Sequence, residues 1–286
     1  MKIVVLGAGG QLGQVVTDAA VARGHDVTSW TRAEANITDA HQLTSQLHAA
    51  APDAIFNCAA WASVDDAEDS PSAVLAVNAL AVRTLARVAN AINAVLVHYS
   101  TDFVFDGRTP GPNTEDREPN PSGVYAVSKL LGEWMAADAA RHYILRVESL
   151  FGGRAAKSSV DVMLQRVADG AEIRAFADRT VTPSYVVDVA EASLDLVERQ
   201  VTPGIYHCVN SGVTTWLELA HEVARLAGRP DAAIVPVNMA ELTMRVPRPL
   251  NAAMDNAKLA RVGITMPDWR DALSRYVAHR LRPSQQ

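Results

Sequence analysis

Short apolar runs alternate with longer amphipathic runs along the first half of the chain. Within the amphipathic runs, apolar residues recur at the three- and four-residue spacing of helices. The strand-like runs are KIVVLG, DVTSW, DAIFNCA, AVLVHYST and HYILRV, and the last helical run is SGVYAVSKLLGEWMAADAA. Strands and helices in this alternation form a parallel sheet covered by helices on both faces. The pattern therefore predicts an α/β fold with a doubly wound, Rossmann-like parallel sheet.

The alternation loosens after residue 150. Short strand-like segments such as AEIRAF and GIYHCVN now alternate with helical ones such as VDVAEASLDLVERQ. We predict a larger domain over residues 1–150 and a smaller C-terminal α/β lobe over residues 151–286. Part of residues 183–210 is expected to return to the first domain.

Composition and charge exclude several classes of partner. The formal net charge of −6 provides no basic surface for nucleic acid, and no cluster of lysine and arginine suggests a membrane surface. The first apolar run is too short for a signal peptide, so we expect a cytoplasmic protein.

Cys58 and Cys208 lie in apolar strand-like segments. We expect two buried reduced cysteines, with a disulfide, a metal site or a thiol nucleophile as the alternatives.

The loop GAGGQLG directly follows the first strand and opens a helix. Gly7, Gly10 and Gly13 permit a tight turn and let the backbone approach a pyrophosphate, whose charge the helix N-terminus favours. The common G-x-G-x-x-G spacing is not met, because Leu12 stands in the place of its last glycine. A glycine-rich turn without a ligand is the alternative. At the start of a doubly wound pattern, the loop predicts dinucleotide binding by residues 1–150 and substrate binding by the second lobe.

The segment SWTR at the end of the second strand bears on the choice of cofactor. A carboxylate there would accept the ribose 2′-hydroxyl of NAD, but no acid occurs before Glu34. Arg32, beside Thr31, suits a 2′-phosphate instead, because guanidinium binds phosphate in a bidentate manner. We predict NADPH as the cofactor and NADH as the alternative. In the alternative with NADH, Arg32 is expected to be a solvent-facing side chain.

Tyr125 and Lys129 lie four residues apart on a predicted helix, so they share a face. A free phenol, with a pKa of about 10, is a poor acid–base catalyst near neutrality, and a nearby ammonium is expected to lower that pKa. Thr101 follows the fourth strand, at the end where parallel sheets bind ligands. We predict that Tyr125 protonates a substrate carbonyl that Thr101 polarises. An ordinary pair on a helix surface is the alternative for Tyr125 and Lys129.

These motifs resemble those of the extended short-chain dehydrogenase/reductases, and within them the dTDP-4-dehydrorhamnose reductase family. GAGGQLG resembles the family's G-x-x-G-Q-L-G, HYSTDFVFDG its Y-S-T-D-Y-V-F-x-G, and VYAVSKLLGE its V-Y-G-x-S-K-L-x-G-E. In the second half, DRTVTPSYVVDVA resembles D-Q-x-G-x-P-T-x-x-x-D-L-A. The resemblance therefore runs nearly from end to end.

What the resemblance implies is NADPH-dependent reduction of the 4-keto group of a nucleotide-activated deoxysugar. In this family the reaction converts dTDP-4-dehydrorhamnose to dTDP-L-rhamnose. By position, Tyr125, Lys129 and Thr101 would be catalytic, and Thr101, Asp102 and Ser149 would face the sugar. The residues expected at the cofactor are Gly7, Gly10, Gln11, Leu12, Gly13, Arg32, Asn36, Ile37, Ala60, Trp61, Ala62, Tyr99, Tyr125 and Lys129.

The chain departs from the family pattern mainly near the sugar. The family's R-T-S-W reads R-V-E-S here, so Ser149 takes the place of a tryptophan that stacks beside the sugar, and Glu148 that of a serine. Gly123 replaces an asparagine two residues before the tyrosine. Val15 stands where some members carry a magnesium-binding glutamate, so we expect no metal.

Other functions remain open on the sequence. A related epimerase shares the tyrosine and lysine but usually retains NAD, and a 4,6-dehydratase would carry a glutamate where Phe103 stands. The third alternative is a non-catalytic NADP-binding regulatory subunit. Arg179, Arg245 and Arg248 are candidates to hold the substrate diphosphate. A homodimer is the default expectation for the assembly.

Overall fold

The computed structural model describes residues 1–282, and a six-stranded parallel sheet forms its centre. The sheet order is β2-β1-β3-β4-β5-β10. The strands within residues 1–282 are β1 Lys2–Leu6, β2 Asp26–Trp30, β3 Ala54–Asn57, β4 Val95–Thr101, β5 His142–Val147, β6 Leu150–Phe151, β7 Ile173–Phe176, β8 Thr180–Val181, β9 Ser184–Tyr185, β10 Gly204–His207, β11 Thr214–Thr215 and β12 Ile234–Val237.

Helices cover both faces of this sheet. They are α1 Gln11–Ala22, α2 Ala40–Ala50, α3 Val64–Ala67, α4 Pro71–Leu75, α5 Ala81–Ala91, α6 Gly123–Ala136, α7 Ser159–Asp169, α8 Val186–Glu198, α9 Trp216–Leu226, α10 Ala257–Arg261 and α11 Trp269–Arg280. Successive residues of β1 face opposite sides, as the strand period of two requires. Ile3 and Val5 pack into a core with α1 and α8, whereas Val4 and Leu6 pack into one with α2 and α5. The predicted doubly wound α/β fold is confirmed.

The helical run at residues 71–91 is divided in the structure. A π-helical segment, Ala76–Leu80, separates α4 from α5, and π turns of this kind often occur at functional sites. Among the described residues, the helical run 71–91 has the length and apolar composition to cross a membrane, although half of it is buried within the fold. Burial of that extent is also found in the core helices of globular proteins.

The second lobe contributes short sheets and returns one strand to the centre. Strand β12 pairs with β7 in parallel, while β8 pairs with β11 and β6 with β9. Strand β10 lies after most of this lobe in sequence, yet it pairs with β5 at the edge of the central sheet. The boundary at residue 150 stays a prediction.

Candidate active site

The glycine loop lies where the strand order reverses, between β1 and β3, which is the usual ligand position of an open α/β sheet. Gly7 has φ +71°, and a Cβ there would be 2.6 Å from the Ala59 nitrogen. A Cβ on Gly13 would overlap the Gly7 carbonyl oxygen. Glycine at these two positions therefore lets helix α1 and the loop after β3 approach the first strand closely.

A cavity of about 360 Å³ opens beside this loop. Seven of the residues predicted at the cofactor line it, namely Gly7, Gly10, Arg32, Asn36, Ile37, Ala60 and Trp61. Leu12 and Gly13 are buried beneath the loop, and Ala62 is exposed. The Gln11 side chain donates a hydrogen bond to the Gly152 carbonyl oxygen at 2.8 Å, so it links the loop to the second lobe.

The rim of the cavity presents a guanidinium and no free carboxylate. Glu34 accepts hydrogen bonds from the Thr31 backbone and from its hydroxyl, and these hold the pKa of the Glu34 carboxyl below its usual value. Arg32 is exposed at the rim. A glycine cradle and a cavity lined by an arginine fit a dinucleotide that carries an additional phosphate.

Helix α6 turns Tyr125 and Lys129 to the same side. Lys129 is buried, and its ammonium donates a hydrogen bond to the Tyr99 carbonyl oxygen. Tyr99 therefore contacts Lys129 through its backbone carbonyl oxygen. Burial lowers the pKa of Lys129 to about 8, and the carboxylate of Glu133, one turn along the helix, acts in the opposite direction. The lysine is therefore an internal charge of the site rather than a surface residue.

The expectation that Lys129 lowers the phenol pKa is wrong for this structure. Burial raises the pKa of Tyr125 to about 12, and a hydrogen-bond interaction with the Thr101 side chain opposes the rise without cancelling it. Desolvation disfavours the phenolate, while the ammonium is directed at the Tyr99 carbonyl. Tyr125 therefore keeps its proton near neutral pH, as a proton donor requires.

The end of strand β4 supplies the groups beside the phenol. The Thr101 hydroxyl donates a hydrogen bond to Asp102 Oδ1 at 2.9 Å, and both residues are buried. Phe103 packs its ring edge-to-face against Tyr125, with the centroids 5.6 Å apart. A phenyl ring thus occupies the position where a dehydratase would carry its glutamate.

The end of strand β5 holds the residues that depart from the family pattern. Glu148 is 1% exposed and accepts hydrogen bonds from the Thr182 nitrogen and hydroxyl. Ser149 is half-buried, with a left-handed φ of +44°. Arg179 lies 4.0 Å from Asp102 Oδ2. The predicted sugar-facing residues and Glu148 thus lie at the ends of two adjacent strands.

The other two candidate diphosphate arginines already have ionic partners. Arg245 is paired with Asp69 and Arg248 with Asp65. Arg179 instead belongs to the group around Asp102, and it also borders a cavity of about 430 Å³ in the second lobe.

Sequence reasoning missed a buried amide in the π-helical segment. Asn78 accepts a hydrogen bond from the Trp61 nitrogen and donates to the Trp61 oxygen and to Ser128 Oγ. It therefore fixes the cavity wall to helix α6. The signal was a single polar residue in the apolar run AVLAVNALAV.

A buried ion pair behind Lys129 was also missed. Arg146 donates to both carboxylate oxygens of Glu133, at 2.9 and 2.8 Å, and both side chains are almost fully buried. Their separation of 13 residues gives no periodic signal, so only the packing of α6 on β5 reveals the pair.

Both cysteines are free, but their surroundings differ. Cys208 is buried as expected, whereas Cys58 is only partly buried and lines the cavity at the glycine loop. Burial raises the pKa of both thiols. Within residues 1–282, no cluster of histidine, cysteine, aspartate or glutamate has the composition of a metal site.

Known proteins similar to this chain cover it from end to end. The family model described as the RmlD substrate binding domain matches residues 1–282. A dTDP-4-dehydrorhamnose reductase of Mycolicibacterium smegmatis is 34% identical over 281 residues, which make up 97% of this chain and 85% of that protein. The likeness therefore includes both lobes.

Solved structures show the same extent of similarity. A dTDP-4-dehydrorhamnose reductase of Bacillus anthracis in complex with NADP has a TM-score of 0.92 at 28% identity, over 97% of this chain and 99% of that one. A Clostridium acetobutylicum dTDP-4-dehydrorhamnose reductase also has a TM-score of 0.92 at 28% identity, over 98% of this chain and 99% of that one. The second lobe thus has the same arrangement relative to the sheet in these proteins.

Proposed function

This chain belongs to the dTDP-4-dehydrorhamnose reductase family, and from that premise we propose that it reduces the 4-keto group of a nucleotide-activated deoxysugar with NADPH. The substrate that fits the family best is dTDP-4-dehydrorhamnose, and the product is dTDP-L-rhamnose. The observation that carries the proposal is the position of the buried Thr101 and Lys129 and the half-buried Tyr125 at the same end of the sheet as the glycine-lined cavity.

Three side chains perform the protein's part of the reduction. Tyr125 donates its proton to the substrate oxygen, since burial keeps that proton on the phenol near neutral pH. Thr101 orients the carbonyl from the end of β4. Lys129 provides a positive charge for the phenolate that forms when the proton leaves.

The cofactor site follows from the cradle and the cavity. Gly7, Gly10 and Gly13 leave room for the pyrophosphate at the start of α1, and Arg32 binds the 2′-phosphate. Asn36 and Ile37 lie on the adenine side, and Ala60 and Trp61 line the same cavity. When bound, NADPH supplies the hydride for the carbonyl carbon.

The assay that tests the proposal follows NADPH oxidation with a panel of 4-keto sugar nucleotides. Turnover of dTDP-4-dehydrorhamnose is expected. Tight NADPH binding without turnover of any panel member would exclude the reductase and support the non-catalytic alternative.

Replacement of the proton donor tests the assigned chemistry. Tyr125→Phe keeps the ring that packs on Phe103 but lacks the hydroxyl, so kcat should fall by at least about 10²-fold with the Kd for NADPH unchanged. Tyr206→Phe is the control, because its hydroxyl bonds only the Thr202 oxygen away from the site. Unchanged turnover in Tyr125→Phe would remove the tyrosine from its role.

The cellular setting and assembly are part of the proposal. The net charge and composition support a cytoplasmic enzyme whose partner is a small nucleotide sugar rather than nucleic acid or membrane. Leu80, Val127 and Trp134 are exposed on the adjoining π-helical segment and α6, and such apolar side chains support a homodimer.

A further inference from the structure

Two carboxyl groups directly follow the ends of adjacent central strands. Thr101 of β4 lies opposite Val147 of β5 in the sheet register. The next residue on each strand is therefore an acid, Asp102 on one side and Glu148 on the other. Both side chains are buried, at 4% and 1% exposure.

Each carboxyl group has one oxygen bonded and one without a donor. Asp102 Oδ1 accepts from Thr101, and Glu148 Oε2 accepts from Thr182. Within residues 1–282, no hydrogen-bond donor reaches Asp102 Oδ2 or Glu148 Oε1. Two ionised carboxylates cannot be buried side by side in this way without a large unfavourable free energy.

The charged groups facing the pair do not neutralise it. Arg179 is the nearest cation, 4.0 Å from Asp102 Oδ2, and its guanidinium is also held by the Pro249 oxygen and lies over Trp216. Tyr125, which is neutral near pH 7, also lies close enough to Asp102 to interact with its charge. The positive charge of Arg179 balances only one of the two carboxylates, and a bound proton neutralises the other.

The pKa values of the two acids agree with this count. Burial, and then the neighbouring Asp102, raise the pKa of Glu148 to about 8. Burial raises the pKa of Asp102 to about 6, although Arg179 and Thr101 act in the opposite direction. Between these two pH values the pair holds one proton.

We propose that Asp102 and Glu148 share one proton and return it, through the Thr101 hydroxyl, to Tyr125 after each reduction. The proposal rests on the proposed reductase function. The Glu148 carboxyl is a feature of this chain, because the family pattern has serine at that position.

The proton balance of one turnover is complete. The substrate carbon receives a hydride from a dihydronicotinamide, and its oxygen receives the Tyr125 proton. For the return, the Thr101 hydroxyl turns from Asp102 Oδ1 to the phenolate oxygen and gives it a proton, and Thr101 Oγ takes the shared proton from Asp102 Oδ1 in exchange. Solvent then supplies one proton to the pair. Glu148 acts through Asp102 and Thr101, so it is a positioning residue.

Infrared spectroscopy of the protein without substrate tests the shared proton. Near neutral pH we expect the carbonyl absorption of a protonated carboxylic acid, which disappears as the pH rises through about 8. Glu148→Gln should abolish it, whereas Glu115→Gln, a half-buried acid bonded to the His207 nitrogen, should keep it. Absence of the band in the wild type, or its persistence in Glu148→Gln, would overturn the shared proton. This result does not depend on the identity of the sugar.

Kinetics test the return of the proton to the tyrosine. In the wild type, kcat should fall as the pH rises through about 8, because the pair then loses its proton. In Glu148→Gln, kcat near neutral pH should be about tenfold lower, below the full effect of a proton donor. Its fall near pH 8 should be absent, and the KM for NADPH should be unchanged. Glu148→Ser, which introduces the family's residue, should show the same changes in kcat and in its pH dependence as Glu148→Gln.

Lys129 also titrates near pH 8, so the variants must separate the two groups. A wild-type kcat and an unchanged fall near pH 8 in both Glu148 variants would assign that fall to the lysine and overturn the relay. Loss of turnover in the wild type itself would instead count against the reductase function.

Discussion

At the scale of single residues, burial decides what the polar side chains of this site can do. Tyr125 and Lys129 share a helix face, as their spacing predicted, but the phenol pKa rises because desolvation outweighs the nearby charge. The same effect keeps a proton on the carboxyl pair. Residue types identified the participants, whereas their protonation depends on a depth of burial that no local sequence pattern encodes.

Arg32 permits a test of cofactor choice at the same scale. Arg32→Ala should raise the Kd for NADPH about tenfold to a hundredfold, since hydrogen bonds to charged groups contribute about 1.5–3 kcal/mol. The Kd for NADH should be almost unchanged. Titration of each cofactor by fluorescence measures both values.

The control for this change is another exposed arginine, Arg83→Ala on helix α5, which should affect neither cofactor. Equal weakening of NADPH and NADH binding in Arg32→Ala would mean that the guanidinium does not bind the 2′-phosphate.

At the scale of elements, close backbone approach determines the shape of the cofactor site. Gly13→Ala would drive a methyl group into the Gly7 carbonyl oxygen, so helix α1 would have to move away from the strand. We expect a loss of about 1–3 kcal/mol in the free energy of unfolding and much weaker NADPH binding. Chemical denaturation and cofactor titration measure the two effects.

Gly9→Ala is the matched control in the same loop. Its added Cβ would lie 3.6 Å from Thr31 Cγ2, an ordinary contact, so stability should change little. Equal stability of the two variants would show that the close approach at Gly13 is unimportant.

The elements also show which features a sequence can predict. Helix α2 begins after Asp39, which accepts a hydrogen bond from the Gln42 nitrogen, and a capping residue of this kind is visible in the local sequence. The division of the run 71–91 was not predicted, because its apolar period continues through the π-helical segment. Asn78 satisfies its polar groups with Trp61 and Ser128. Those partners lie 17 and 50 residues away, beyond the reach of local reasoning.

At the scale of the whole molecule, the alternation of strands and helices was sufficient for the fold. It was not sufficient for the site, because Asp102, Glu148 and Arg179 come from three separate parts of the chain. The resemblance implied that Asp102 faces the sugar, and it showed that Glu148 stands where the family pattern has a serine. Only the sheet register shows that the two acids are neighbours.

The carboxyl pair has a consequence for the stability of the molecule. The raised pKa of Glu148 means that the folded chain binds more protons than the unfolded chain between its ordinary value of 4.5 and about 8. The stabilising contribution of the Glu148 proton to the free energy of unfolding is therefore lost as the pH rises through this range. The buried His98 and His207 oppose this trend, because their pKa values are lowered in the fold while the unfolded histidines still release protons around pH 6.5.

The melting temperature of the wild type should therefore fall relative to that of Glu148→Gln between about pH 6.5 and 8, since the histidines act equally in both proteins. Glu115→Gln should follow the wild type over the same interval. Differential scanning calorimetry in matched buffers measures the trend. A parallel decline in all three proteins would contradict the assignment to Glu148.

The return of strand β10 to the central sheet also matters while the chain is being synthesised. Strand β5 ends at residue 147, but the strand that covers its outer edge begins only at residue 204. Until that segment leaves the ribosome, the hydrogen-bonding groups of β5 form an open edge that another nascent chain could extend. The edge of the central sheet is therefore complete only when most of the second lobe has been synthesised.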